Sequence, residues 1–369
     1  MNQKKNFAII GASYLQLPLI KKAKEMGYVT HVFAWAANDV GETEADYFYP
    51  ISIIEKETIL EKCKEIGICG ICSIASDLAM LTVNYVAQSM HLVSNSLKAT
   101  ELSTNKHLMR QCFETNGDPS PKSVLVSKNE NFDISEMKYP LIVKPTDRSG
   151  SRGICKVYDK DELDLAISEA IEESFEKKAL IEEYVEGNEY SVEYISFKGQ
   201  HTFLALTKKY TTGAPHFIET GHREPAEVSN QLLNNIKEVV SHALDSLQIT
   251  YGASHSEIKI DNDGNIKIIE IGARMGGDCI GSDLVRYSTG YDFVKMVIQV
   301  ACGIEPEFTQ ICKPIIVESK FIFTTEDIQE FENDKQNHTV LEVVDFHPEK
   351  IGKITDSSNR AGCYLRKII

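Results

Sequence analysis

The chain has 369 residues, 42% of them hydrophobic and 25% charged, with a formal net charge of -15. That length supports a large core and two or three domains, and the composition excludes a disordered chain. The acidic balance argues against nucleic acid or an anionic membrane as partner, since both attract basic surfaces, and nine cysteines scattered through apolar segments read as reduced thiols of a cytoplasmic protein.

The opening MNQKKNFAIIGASYLQLPLI puts lysines before an apolar stretch but lacks a long apolar region and a small-residue cleavage site. FAIIGAS is therefore expected to be a buried first strand turning into a helix, not a secretory leader. No segment approaches the ~20 apolar residues that span a membrane. Apolar runs FAIIGA, YVTHVFAW and GICGICSIAS then alternate with helical patterns near 15–26, 55–66 and 77–90. This alternation predicts a doubly wound parallel sheet. Gly11 follows the first run, but without GxGxxG a dinucleotide site is weakly supported. Cys69 and Cys72 have CxxC spacing inside GICGICSI, and with no second pair a buried strand is the better reading than a metal or redox site.

A helix is predicted to start at Ser103 or Thr104, either of which can cap it, and to stop at Gly117 before Pro119 and Pro121. Lys106 falls in its first turn. Strands follow in KSVLVS, PLIVKP, GICKVYD, ALIEEYV, EYSVEYISF and HTFLALTKKY, interrupted by the helical pattern DELDLAISEAIEESF, so residues 120–210 read as a compact α+β unit. A helix near 227–247, a hairpin, a helix over 282–302 and a small β-rich appendage complete the chain.

Two stretches carry chemistry. In VKPTDRSGSRGICKV, residues 143–157, Lys144 and Arg148 accompany Ser149, Gly150, Ser151 and Gly153. Small residues let backbone N–H groups approach an anion, which invites a phosphate reading. A Walker A loop places its lysine after the glycines and opens a helix; here the lysine comes first and a strand follows, so this is not one. An ordinary polar hairpin tip is the alternative, and at the loop edge Lys144 is expected to be exposed.

The second stretch is GASHSEIKIDNDGNIKIIEIGARMGGD. Asp263-Gly264 between two apolar runs signals a two-residue hairpin, in which opposed residue numbers sum to 527. Glu257 and Glu270 then face each other on one side of the ladder. Like charges so placed are destabilising unless a cation intervenes, and Mg²⁺, with its preference for hard oxygen ligands, would supply one. Two solvated glutamates on an exposed face are the alternative. Arg274 follows, ahead of Gly276-Gly277, where an arginine could neutralise a transferring phosphoryl group.

Taken in order over residues 1–305, these features resemble the ATP-grasp superfamily. Lys106, on a helix before GDPSP, and Lys144, in PLIVKP, resemble the lysine pair that holds the ATP phosphates. DRSGSRG, with Ser149, Gly150 and Ser151, resembles the loop that closes over them. LIEEYVEGNEYSVE resembles the hinge, where Glu182 and the backbone of Glu183, Tyr184 and Val185 would receive adenine and Glu189 the ribose. Glu257 and Glu270 fall where the family holds magnesium (manganese is a possible substitute), and Arg274 where it contacts an acyl phosphate; Arg274 and Lys144 are the catalytic candidates. One departure stands out: the family's ExNxR reads Glu270-Ile271-Gly272-Ala273-Arg274 here, so a glycine replaces the asparagine ligand.

The resemblance implies an α/β and α+β fold: an N-terminal doubly wound domain over 1–100, an ATP-grasp domain over 101–308 with its lid at about 120–190, and a small β-rich part over 309–369. The branch it resembles most holds biotin carboxylase, purine-pathway enzymes and L-amino-acid ligases. It implies an ATP-dependent ligase that activates a carboxylic acid as an acyl phosphate and joins it to an amine, with small-molecule substrates, no nucleic-acid or membrane partner, and a homodimer as one allowed state. A carboxylase or carbamoyl-type enzyme acting through carboxyphosphate is the second reading, and a non-catalytic ATP-binding regulatory subunit the third. In HFIETGHREP, Glu219, His222 and Arg223 are candidates for reading an amine and a carboxylate, with a solvated polar loop as the alternative.

Overall fold

The computed structural model describes residues 5–128, 130–148, 152–213, 217–352 and 360–368. Strands β1 (Asn6–Ile10), β2 (Val29–Phe33), β3 (Tyr47–Tyr49) and β4 (Ile71–Cys72) form a parallel sheet in the order β3-β2-β1-β4. Alternation along β1 builds both of its faces. Phe7 and Ile9 pack with Leu19 and Ile20, whereas Ala8 and Ile10 pack with Ile59, Leu60, Met80 and Val83. Each large apolar side chain buried this way contributes about 1.5–3 kcal/mol.

A second sheet contains β5 (Ser123–Ser127), β6 (Leu141–Pro145), β7 (Cys155–Val157) and β8 (Lys178–Glu183), ordered β5-β8-β6-β7, with helix Lys160–Glu173 on one face. The third sheet is the largest. It contains β9 (Asn188–Phe197), β10 (Gln200–Thr211), β11 (Glu219–Glu224), β12 (Gly252–Ile260), β13 (Ile266–Gly272), β14 (Val317–Ile322), β15 (Val340–Phe346) and β16 (Gly362–Lys367). Their order is β13-β12-β9-β10-β11-β14-β16-β15. Helix Asn230–Ser246 lays Ile236, Val240, Ala243 and Leu244 against Val192, Tyr194 and Leu206 of this sheet. The last sixty residues continue that sheet through β14, β16 and β15 and also contain helix Thr325–Gln336, started by a Thr324/Asp327 capping box.

Two helix boundaries differ from expectation. Ser103 and Thr104 end a separate helix, Leu97–Thr104, where their hydroxyls bond back to carbonyls one turn earlier. The cap is Asn105, whose side chain accepts from the amides of His107 and Leu108 and starts helix Lys106–Asn116. The helix expected over 282–302 is broken: a π-helical turn at Ile280–Leu284 and helix Val285–Thr289 end at Gly290 (φ +80), and Phe293–Ala301 restarts under an Asp292 cap. No helix among the described residues is long and apolar enough to cross a membrane.

Candidate active site

A cavity lies where the second and third sheets meet, and its walls include Lys106, Lys144, Glu182 to Val185, Glu189, Glu219, Glu257, Glu270 and Arg274. Most of the candidates chosen on sequence thus come together from distant parts of the chain. Ser149, Gly150 and Ser151 lie outside the described residues.

Lys106 is delivered by the Asn105 cap as the first helical residue. It is 5% exposed, and its Nζ donates to Glu270 Oε1 at 2.8 Å and to the carbonyl of Arg148 at 2.6 Å. Burial works against its charge, yet Glu270 outweighs that and raises its pKa. The expectation that Lys144 is exposed is corrected. Lys144 points inward from β6, 4% exposed, with Nζ 2.7 Å from Glu182 Oε2, because the pleat of β6 puts it on the same sheet face as Glu182, its diagonal neighbour on β8. There burial prevails over Glu182 and lowers the lysine's pKa, with Arg110 adding repulsion. Glu182 also pairs with Arg110, at 2.9 Å. Burial disfavours its anion, but Arg110 and Lys144 win and hold the carboxyl below its usual pKa. Its side chain is therefore occupied by an Arg110–Glu182–Lys144 triad. At the end of β8, Lys156 Nζ lies 3.5 Å over the Tyr184 ring, and Lys259 Nζ donates at 3.3 Å to the carbonyl of Val185.

Glu257 and Glu270 do pair across β12 and β13. The two-residue turn does not exist, however. Next to the loop the pairs are Ile260↔Ile266, Lys259↔Lys267 and Ile258↔Ile268, one residue out of the expected register. Asp261 closes a longer turn by accepting from the amides of Asp263 and Asn265, and of the two expected turn residues only Gly264 has positive φ. A bulge at Ile269 then restores the alignment, so Glu257 meets Glu270 after all. The carbonyl of Ile269 accepts from Arg110 Nη2 at 2.5 Å.

The positive charge beside each carboxylate is a lysine, Lys106 on Glu270 and Lys209 on Glu257. Lys209 was not anticipated. From β10 its ammonium reaches Glu219 at 2.6 Å, Glu257 at 2.7 Å and Glu189 at 3.3 Å. Burial disfavours the Lys209 charge, but these acids raise its pKa well above the usual range. For Glu257, burial is likewise outweighed by Lys209 and His255, which depress its pKa strongly. Arg274 is clamped by Asp77 in a two-bond fork, Nε to Oδ1 and Nη2 to Oδ2, both 2.9 Å. Asp77 itself begins helix Asp77–Ser89. His255 sits between this clamp and Glu257. Its Nδ1 bonds to the buried Glu193, and although burial opposes its charge, Glu193 prevails and raises its pKa to about 9.

Of the substrate candidates, Glu219 lines the cavity and the buried His222 stands beside it, Nε2 3.4 Å from Glu219 Oε2. Arg223 does not join them and pairs with Glu227 at 2.7 Å. The reason is a bulge at Thr220: Glu219 pairs with Thr211 but Gly221 with Tyr210, so alternation inverts and His222 takes the face of Glu219. Three of the unanticipated residues had a sequence signal. His255 is two positions before Glu257, hence on the same strand face, and Glu193 and Lys209 are charges inside strand patterns. Asp77 and Arg110 act through contacts of high sequence separation and had none.

Residues 137–283 match the ATP-grasp domain family. It is 24% identical over 299 residues to alanine–anticapsin ligase of Bacillus subtilis, a match covering 72% of this chain and 63% of that protein. It is also 25% identical over 216 residues to D-alanine–D-alanine ligase B of Pseudomonas syringae pv. tomato, covering 55% and 64% respectively. The chain thus matches somewhat under two thirds of the length of these curated relatives. Among solved structures, L-amino acid ligase from Bacillus licheniformis superposes with a TM-score of 0.83 at 23% identity, covering 100% of this chain and 94% of that one. N5-carboxyaminoimidazole ribonucleotide synthetase from Thermotoga maritima gives 0.76 at 16% identity, covering 99% and 94%. These likenesses establish the ATP-grasp fold.

Proposed function

We propose that the protein is a cytoplasmic ATP-dependent ligase that converts a carboxylic acid, in the first instance an amino acid, to an acyl phosphate and joins it to an amine with release of ADP and phosphate. The observation that carries this reading is the convergence on one cavity of Lys106, Lys144, Glu257, Glu270 and Arg274, contributed by a helix, two sheets and the turn after β13. We also propose the division into units 1–100, 101–308 with its lid at about 120–190, and 309–369.

Lys106, Lys144 and Lys209 neutralise phosphate oxygens, the end of β8 from Glu182 to Val185 receives adenine, and Glu189 receives the ribose. The acidic donor set fits a hard divalent cation: Glu257 and Glu270 face each other, and Glu189, Glu219 and Glu257 present oxygens within 4.8 Å of one another. Glu257 and Glu270 hold Mg²⁺ or Mn²⁺, which when bound shields the charge of the phosphoryl oxygens. Phosphoryl transfer needs alignment and charge neutralisation more than a covalent nucleophile. Arg274, held in one orientation by Asp77, stabilises charge that grows on the phosphoryl group, and Glu219 with His222 reads the amine.

A screen of amino acids and amines in pairs for release of ADP and phosphate tests the reading, and hydroxylamine should intercept the intermediate as a hydroxamate. A product carrying AMP would sink it. Glu270→Gln is expected to abolish Mg²⁺-dependent turnover and Glu257→Gln to weaken it. Near-normal rates for both at low magnesium would make the pair structural.

A further inference from the structure

β13 is an outermost strand of the central sheet, so one row of its backbone groups has no neighbouring strand to pair with. Helix Lys106–Asn116 takes that place. Lys106 and Arg110, one turn apart on one face of the helix, hold the Glu270 side chain and the Ile269 carbonyl. Met109 Sδ accepts from the amide of Ile271 at 3.4 Å, and just past the helix the carbonyl of Pro119 accepts from the amide of Ile268 at 2.7 Å. Ile269 is the extra residue of the bulge. Were the pairing next to the loop to continue unbroken, Glu257 would face Ile269 and Glu270 would face Ser256. Ser256 shares its strand face with Ile258 and Ile260, which lie in the core under helix Asn230–Ser246, so the Glu270 carboxylate would be turned away from the cavity. The bulge is thus what gives the cavity its second carboxylate.

Arg110 joins this bulge to Lys144. It is 3% exposed, and its guanidinium forks between strands of two sheets. Nη2 donates to the carbonyl of Ile269 at 2.5 Å, while Nε and Nη2 lie 2.9 and 3.3 Å from the two oxygens of Glu182, which in turn holds Lys144 at 2.7 Å. Nη1 is buried with no hydrogen-bond partner among the described residues, an unfavourable position for a donor. An apolar pair of similar volume in place of Arg110 and Glu182 would serve the core as well. Packing alone therefore does not account for the arginine, and it does not line the cavity. We propose that Arg110 is a positioning residue of the active site: by holding the Ile269 carbonyl it keeps Glu270 on the cavity face as a ligand for the divalent cation, and through Glu182 it aims Lys144 at the phosphates. This rests on the ATP-dependent reading above. Residues that orient a metal ligand without touching the metal typically contribute about 10–100-fold in metal affinity.

Two binding measurements separate this role from a purely structural one, and neither needs an acid or an amine substrate. Calorimetry with ADP in EDTA reads the lysines without the metal, and electron paramagnetic resonance of free Mn²⁺, with protein in excess over ADP, reads the metal affinity of the nucleotide complex. Lysine and methionine at position 110 divide the two contacts. Arg110→Lys keeps a cation for Glu182, but one ammonium lacks the fork that spans Glu182 and the Ile269 carbonyl together. Its melting temperature and metal-free ADP affinity should stay near the parent's while Mn²⁺ affinity falls about 10-fold or more. Arg110→Met should lose Mn²⁺ affinity equally and metal-free ADP affinity as well, because Lys144 is then no longer aimed. A general loss of stability would lower the melting temperature without weakening Mn²⁺ in the folded, ADP-bound protein. Parental Mn²⁺ affinity in either variant overturns the proposal, as does a metal-free ADP affinity as low in Arg110→Lys as in Arg110→Met. Should Arg110→Met fail to fold, Mn²⁺ affinity in Arg110→Lys decides alone. Absence of ADP binding to the parent protein, with and without Mn²⁺, removes the ATP reading together with the role of Arg110.

Discussion

A Cβ placed on Gly272 would lie 2.6 Å from Asp77 Oδ1 and 3.1 Å from Arg274 Nε. The space a side chain at this position would use is filled by the Asp77–Arg274 fork, which gives a steric reason for glycine after the second carboxylate. Gly272→Asn is therefore expected to disrupt the fork and lower kcat, as Arg274→Met should by on the order of 10²-fold with little change in ATP affinity. Steady-state kinetics with a verified substrate check both; a faster Gly272→Asn enzyme would show that the fork is dispensable. Lys144 calls for a different expectation. Because it is buried in a triad, Lys144→Ala removes one of two cations from Glu182, and breaking such a buried pair costs about 3–5 kcal/mol where no second partner remains. Arg110 remains on Glu182, so the loss should be smaller than that range. Lys144→Met, which preserves the volume, should melt closer to the parent than Lys144→Ala while losing nucleotide affinity equally. Calorimetry showing parental affinity in either variant would remove the phosphate role.

At the scale of elements, local periodicity carried far and long-range register did not. The parallel sheet was legible because apolar runs of strand length alternate with amphipathic helices, and each face of β1 finds a helical partner. The hairpin was legible for a reason that was half wrong. The turn is longer than two residues, and the bulge at Ile269 compensates, so the Glu257–Glu270 pairing survives a mistaken loop. At Thr220 the same kind of irregularity had the opposite effect, separating Arg223 from Glu219. A bulge is decided by what the extra residue's backbone can reach, such as Arg110 on the carbonyl of Ile269, and that partner is 159 residues away. Asn105 was missed because Ser103 and Thr104 are equally good caps in isolation, and the preceding helix claimed them. Its role predicts that Asn105→Ala lowers stability by about 1 kcal/mol, the usual cost of losing such a cap. It should also raise the KM for ATP, since Lys106 is the next residue. A change in melting temperature with an unaltered KM would mean that Lys106 is placed by Glu270 and Arg148 without the cap.

Across the whole molecule, the central sheet ties the cavity to the C-terminal strands, and one acid inside it should govern stability against pH. Glu224 ends β11 with no exposed surface, accepting hydrogen bonds from Thr207 on β10, at 2.5 Å, and from Ser288 on helix Val285–Thr289. Burial is the largest influence on it, the two hydroxyl donors oppose burial, and the nearby Glu193 reinforces it. The net effect is a pKa raised from the usual 4.5 to about 8. Below 4.5 the folded and unfolded chains both hold this proton, and the group's contribution to stability is fully present. Between 4.5 and about 8 the folded chain keeps a proton that the unfolded chain releases, so stability falls as pH rises, and above about 8 the loss is complete. Each unit of such a shift corresponds to about 1.4 kcal/mol, so the total is large enough to move a melting temperature. Glutamine keeps the shape, accepts from one of the two hydroxyls on its oxygen and donates its NH2 to the oxygen of the other, and has no charge to desolvate. Thermal melts from pH 5 to pH 9 should therefore decline less steeply for Glu224→Gln than for the parent, with the variant more stable at the alkaline end. Parallel curves would show that Glu224 is ionised in the folded protein, with Thr207 and Ser288 supporting the anion.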